Sequence, residues 1–349
     1  MVAQAGHAGS LELVAVAPNE PAEAAQLAVA ERPVTWIQCL ELAAVSALAL
    51  VLATSAPLAT TVFALLLFGM LHNYFELRYL IGRFGGLFRG RLAEAVLVGL
   101  TAIVLLRLLP VGAWGRTAEI VATYGVLGVV LAFRGRRSPF ILAAGILVLL
   151  LALAASLAFA DHHFVVITHL HNVLPLVFLW EWSARAARTG AGRAFRLLHL
   201  GWAVLLPLAI LVGLFGEPAV ADWTPAASIV GDVDGFVRAL LPPGADSAFG
   251  ARLLAVFALL QLMHYYVWCR FFPSVGAPEA ARFDTAVSAV GLPSGRRLTL
   301  LVGLFAAATC LFMWADFRLG RSVYAALAGY HAYLEYALLL LFVLAWRRA

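Results

Sequence analysis

The sequence predicts an all-α, polytopic transmembrane helix bundle of about ten spans, on three observations. Hydrophobic residues make up 63% of the 349 residues and charged residues only 12%, against about 45–50% and about 25% in soluble domains. The mean hydropathy is +0.93. Apolar runs of roughly 20 residues follow one another along the chain, each long enough to cross the ~30 Å hydrocarbon core as a helix.

Taken in order, residues 1–34 read as a mobile N-terminal tail. They carry Glu12, Glu20, Glu23 and Glu31, and no basic segment precedes a short apolar one, as a signal peptide requires. Residues 35–349 read as a single transmembrane helical domain. Its expected spans are Trp36–Ala56, Pro57–Gly82, Leu92–Pro110, Ala118–Phe133, Pro139–Ala160, Phe164–Trp182, Phe195–Phe215, Phe249–Trp268, Leu298–Ala315 and Val323–Trp346. The fourth is the shortest. Pro175 interrupts the sixth and removes the hydrogen bond to the carbonyl of His171, so a bend is expected there. The outer loop at 216–247 carries Glu217, Asp222, Asp232, Asp234 and Asp246 and reads as solvated. Its Asp232-Val-Asp234-Gly fragment lacks the rest of a calcium-binding loop.

All 24 basic residues are arginine, and the net charge is +5. With the N-terminus cytoplasmic, the outer side holds Arg107, Arg116, Arg238, Arg252, Arg318 and Arg321. The remaining eighteen of the 24 fall on the cytoplasmic side. This positive-inside bias predicts both termini cytoplasmic and explains the basic balance without a nucleic-acid partner. The expected location is a bacterial inner (cytoplasmic) membrane. Cys39, Cys269 and Cys310 are scattered and form no metal or disulfide spacing.

Ionisable groups within a bilayer cost several kcal/mol unless partnered, so each one is a candidate for function. Two segments share the pattern His-x-Tyr-x-Glu: His72/Glu76 with Tyr74 between, and His331/Glu335 with Tyr333 between. Residues four apart lie on one helix face, so each pair presents an imidazole and a carboxylate together. His171 and His264 are two further deep histidines. All four of the spans that carry these residues run in the same direction. These six residues, His72, Glu76, His171, His264, His331 and Glu335, are the candidate metal ligands. Their borderline nitrogen and oxygen donors suit iron, zinc or copper.

Around them stand possible additional ligands or supporting hydrogen-bond partners. His169 lies about 200° from His171 around the helix and cannot face the same point, but it shares a face with Asn172. Tyr74, Tyr79, Tyr265, Tyr330 and Tyr333 flank the motifs, and Glu41 has no local partner. Asp161, His162 and His163 sit at an outer boundary. Glu181 is expected to pair with Arg185, Arg78 to snorkel, and His199 to be interfacial. Each has a plain alternative in packing, helix-end pairing or an interhelical hydrogen bond.

Intramembrane histidines spread over several helices, here His72, His171, His264 and His331, resemble the arrangement in the bacteriorhodopsin-related carotene-cleaving dioxygenases, which are multi-pass proteins with a His-ligated iron. The two glutamates depart from an all-His site. The His boxes of membrane desaturases are not matched, since no HxxxH is present. The resemblance implies a metal-dependent membrane oxidoreductase or oxygenase, its metal iron, acting on a lipid-soluble small molecule such as a carotenoid, a fatty acyl chain or a quinone. The alternatives are a haem-binding electron-transfer protein, a transporter that moves protons or metal ions through its His and Glu, and a structural subunit.

Overall fold

The computed structural model describes residues 33–88, 90–109, 112–135, 138–186, 189–218 and 224–346. The tail expected over 1–34 lies outside them except for its last two residues. Among the described residues there is no strand. The helices are α1 (Trp36–Ser55), α2 (Pro57–Phe84), α3 (Arg91–Leu108), α4 (Gly112–Gly135), α5 (Pro139–Ala158), α6 (Ala160–Val173), α7 (Pro175–Ala186), α8 (Gly190–Leu200), α9 (Leu206–Leu211), α10 (Thr224–Val230), α11 (Val233–Arg238), α12 (Ser247–Tyr266), α13 (Phe272–Val275), α14 (Ala277–Ala289), α15 (Gly295–Ala315) and α16 (Phe317–Trp346).

Among the described residues, nine helical segments are long and apolar enough to cross a membrane, against ten expected. The difference is α3. It occupies the third expected span, but its 18 residues include Arg91, Glu94 and Arg107. Arg107 does not lead out to water. It turns into the bundle, where its guanidinium meets Glu119 of α4 at 2.5 Å.

Short polar caps and prolines set the helix ends. Thr35 and Gln38 form a capping box on α1. Ser138 caps α5, with Pro139 in its first turn, and Asp246 caps α12. The expected bend at Pro175 is present as the break between α6 and α7. Pro207 and Pro273 each follow a π turn, Gly201–Leu205 and Val267–Phe271. A proline cannot donate to the carbonyl four residues back, and the wider turn absorbs that mismatch.

The most buried elements are α2 and α12, which pack on each other. On α2 also lie α14, α15 and α16, while α12 contacts α1 and α6. α16 packs along α3, α4 and α15. An aromatic cluster built from Tyr79, Trp182, Phe195, Trp268, Phe271 and Phe272 closes the bundle beyond the far end of α12, with Tyr79 and Phe272 ring centroids 4.0 Å apart. α5 has no buried residue, and its hydropathy is the highest of the nine, so its apolar side chains face outward wherever α4 does not cover them.

The described part of the 216–247 segment is partly folded. Its helices α10 and α11 bury Ala226, Val230 and Phe236 against Leu58, Val62, Leu254 and Phe317. Its described acids are exposed: Asp232 caps α11, Asp246 caps α12, and Glu217 pairs with Arg252, while Asp222 lies outside the described residues.

Candidate metal centre

Four helices bring the four deep histidines to one point. His72 and Glu76 come from α2, His171 from α6, His264 from α12, and His331 and Glu335 from α16. The imidazole centroids of His72 and His264 are 4.9 Å apart, those of His72 and His331 5.0 Å, and those of His171 lie 4.6 Å from His264 and 4.7 Å from His331. Depths counted from the expected helix starts would set His171 and His331 well above the other two. The observed helices α6 and α16 begin earlier, at Ala160 and Phe317. At 1.5 Å per residue, all four histidines then lie roughly 17–26 Å along their helices.

His72, Glu76, His264, His331 and Glu335 are 0–1% exposed. The ring nitrogens are sorted by their outer partners. His72 Nδ1 faces the Phe68 carbonyl at 3.2 Å, and His171 Nδ1 faces Glu335 Oε2 at 2.7 Å. Each therefore turns Nε2 inward. His72 Nε2 lies 3.2 Å from His331 Nε2, which lies 3.1 Å from His171 Nε2. Glu76 Oε2 is 3.8 Å from Nε2 of both His264 and His331.

Two things are unusual here. First, the ligand atoms that His72, Glu76, His171 and His331 offer all lie within 4.8 Å of one another. Two ligands about 2.1 Å from one ion, 90–109° apart, lie roughly 3.0–3.4 Å from each other. The two inter-imidazole distances fall in that range. The four atoms thus surround one point, and an ion bound there would draw the wider pairs inward. Second, both oxygens of Glu76, both ring nitrogens of His264, Nδ1 of His331 and Oε1 of Glu335 are buried without a hydrogen-bond partner. Each such atom costs about 1–3 kcal/mol. Elsewhere in the bundle carboxylates meet arginine, as in Arg78–Asp284, Arg83–Glu181 and Arg107–Glu119. Among the described residues Glu76 and Glu335 have imidazoles as their nearest basic neighbours. A cation among these atoms would relieve both features, and the chain is thus a membrane protein with a buried His/His/His/Glu cluster able to coordinate a metal ion.

The other candidates divide. Tyr265 lies against the cluster, its ring 4.5 Å from His72 and its hydroxyl accepting from Gln261. Asn172 is buried and lines the adjoining cavity. Tyr333 lies between the two α16 ligand positions but points away, donating to Glu119 beside Arg107. His169 contacts the Leu240 carbonyl at 2.9 Å and so ties α6 to the segment after α11. Tyr74 meets Thr299, and Glu41 pairs with Arg270 at 2.9 Å. Asp161 pairs with Arg116 on the surface, His162 is exposed, and His163 is buried against Ser156. Tyr330 borders a groove between α3 and α16. Tyr79 stacks on Phe272.

Two peripheral expectations change as well, and a third lies outside the described residues. Glu181 pairs with Arg83 of α2, because the two helix ends meet in space. The side chain of Arg185 lies outside the described residues. Arg78 does not snorkel but pairs with Asp284 at 2.6 Å. His199 is buried and stacks on Trp202, its centroid 5.5 Å away.

Sequence reasoning missed the Arg107–Glu119–Tyr333 group, although both charged residues fall inside or beside expected spans. The Arg107 side chain lies across the backbone at Gly329, where a Cβ would be 3.4 Å from it. From that position Arg107 also donates to the Ala325 carbonyl at 2.6 Å.

A cavity of about 180 Å³ opens beside the cluster, bordered by His72, His171 and His331 and reaching Phe236 and Arg321. A groove of about 640 Å³, apolar except for Thr123, Tyr124, Ser156, His162, His163 and Tyr336, runs between α4, α5 and α6. Ile167 borders both.

No protein-family model, curated protein or solved structure matches this chain. The His/Glu-rich bundle is consistent with the membrane oxygenases it resembles without being specific to any family.

Proposed function

We propose that the chain is a metal-dependent membrane oxidoreductase acting on a lipid-soluble substrate. Its metal is held by His72, Glu76, His171 and His331, with His264 as a further ligand position and Glu335 orienting His171. What supports this is the convergence of unpartnered ligand atoms at one buried point, where His331 Nε2 stands at ligand-to-ligand spacing from both His72 Nε2 and His171 Nε2. A His-rich site with one carboxylate is suited to iron, which when bound would supply redox and oxygen chemistry. The protein's share is to exclude water, to hold the ligands, and to fix the His171 tautomer through Glu335. A carboxylate on the outer nitrogen of a ligating histidine raises its basicity.

The apolar groove gives a lipid-borne molecule a lateral approach, with Ile167 as the wall between groove and cavity. Haem suits the geometry poorly. The imidazoles meet edge to edge rather than facing across a macrocycle, and the cavity is close to the ~150 Å³ that holds a benzene ring. Elemental analysis and an absorption spectrum of the purified full-length chain test the proposal, with His331→Ala as control. One iron per chain, lost in the variant, is the expected result. Metal-free protein after expression in metal-replete medium overturns it.

A further inference from the structure

We infer that the cavity takes a single-chain amphipathic acid, its carboxylate held by Arg321 and its acyl chain running toward the His/Glu cluster. The part played by the cluster rests on the metalloenzyme proposal. Arg318 and Arg321 lie one turn apart on α16, yet Arg318 is exposed while Arg321 is half-buried. The Arg321 guanidinium lies over the Phe236 ring of α11, 4.7 Å from its centroid. Both residues line the cavity that His72, His171 and His331 close at its other end.

The other cavity cation, Arg107, is committed to Glu119, Tyr333 and the Ala325 carbonyl. Among the described residues no carboxylate lies within ion-pair distance of Arg321. Of the acids on the 216–247 segment, Asp232 and Asp246 serve as caps and Glu217 pairs with Arg252; Asp234 is exposed, and Asp222 lies outside the described residues. A half-buried guanidinium without a counter-charge is costly at this depth. Stacked on a ring, it still offers its in-plane fork of N–H donors, which matches a carboxylate bidentately.

The chemistry at the two ends sets the ligand. Arg321 and His331 are ten residues apart on one helix, roughly 15 Å. The two side chains themselves span part of that distance. The cavity of about 180 Å³, little more than the ~150 Å³ that holds a benzene ring, has room for one short chain of about six carbons and excludes the two chains and glycerol of a bilayer phospholipid.

The test is equilibrium binding of radiolabelled hexanoate, hexanol and hexyl phosphate to the full-length chain in lipid nanodiscs, with metal per chain measured on the same samples. Wild type should bind hexanoate at least tenfold tighter than hexanol. Arg321→Met should remove that preference while leaving hexanol binding and metal content unchanged, and Arg321→Lys should keep most of it. Equal binding of acid and alcohol by wild type, or an equal loss of both in Arg321→Met, overturns the assignment. So does a hexyl phosphate preference over the acid that depends on Arg321. Arg321-dependent binding of the acid by a chain that holds no metal would leave the head-group site standing and remove the metalloenzyme proposal. Metal at full occupancy with no preference for the acid would do the reverse.

Discussion

Glu76→Gln should change stability with opposite sign in metal-stripped and metal-loaded protein. Without a cation, both carboxylate oxygens are buried without a hydrogen-bond partner, with Nε2 of His264 and His331 each 3.8 Å away. An amide keeps the shape, removes the charge, and adds a donor toward those nitrogens. Relieving one such atom is worth about 1–3 kcal/mol, so the stripped variant should melt a few degrees above stripped wild type. With metal, the balance turns over. Carboxylates one shell outside a metal already cost 10–100-fold in affinity when mutated, and a direct ligand should cost at least ~100-fold. At saturating metal for wild type, that removes about 2.7 kcal/mol of ligand-linked stability, and the loaded variant should melt below loaded wild type. Thermal unfolding in detergent with and without chelator, alongside metal per chain, reads both signs. A shift of the same sign in both states would refute the idea that Glu76 faces a cation, as would unchanged metal content.

Glu335→Gln should be milder, weakening metal binding about 10–100-fold, because one oxygen of Glu335 is engaged by His171 Nδ1; a chelator titration measures it, and unchanged affinity would mean Glu335 does not orient His171. Both termini should be cytoplasmic and the 216–247 segment outside, from the arginine asymmetry; labelling of single introduced cysteines by an impermeant reagent checks this, and an outer C-terminus would contradict it. Removing only Glu119, by Glu119→Gln, should cost about 3–5 kcal/mol by stranding Arg107, whereas replacing both residues with apolar ones of similar volume should cost less; a double-mutant unfolding cycle tests the coupling, and additive losses would count against it. Ile167→Trp should block the groove from the cavity and slow turnover of a lipid-borne substrate without lowering bound metal; a loss of metal would place Ile167 in support of the cluster instead.

The spans and the six central residues could be read from the chain because a bilayer makes polarity expensive. Each of His72, Glu76, His171, His264, His331 and Glu335 stands out against an apolar run, and the repeated His-x-x-x-Glu spacing puts two donor pairs on single helix faces. Which helices are neighbours was not legible. It depends on where each helix starts and how it leans, and a few residues' error at the start of α6 and α16 displaced two histidines by several ångströms in the sequence-based estimate of depth. The 216–247 segment was half legible for a related reason. Its described acids Glu217, Asp232, Asp234 and Asp246 are exposed, while Ala226, Val230 and Phe236 between them form an apolar face that no acid marks.

Arg107 shows what spacing along one helix leaves open. An arginine near the end of an apolar run looks the same in the sequence whether it snorkels outward or turns into the bundle. Three partners decide the matter: Glu119 on the next helix, Tyr333 on α16, and the Ala325 carbonyl of that same helix. None is within hydrogen-bonding sequence distance of Arg107 on its own helix, so no local pattern marks them. The same holds inside the centre, where Glu335 meets His171 and not its helix neighbour His331. The i, i+4 pattern identified which side chains share a face, while the partner each of them meets is set by helices more than 100 positions away in the chain.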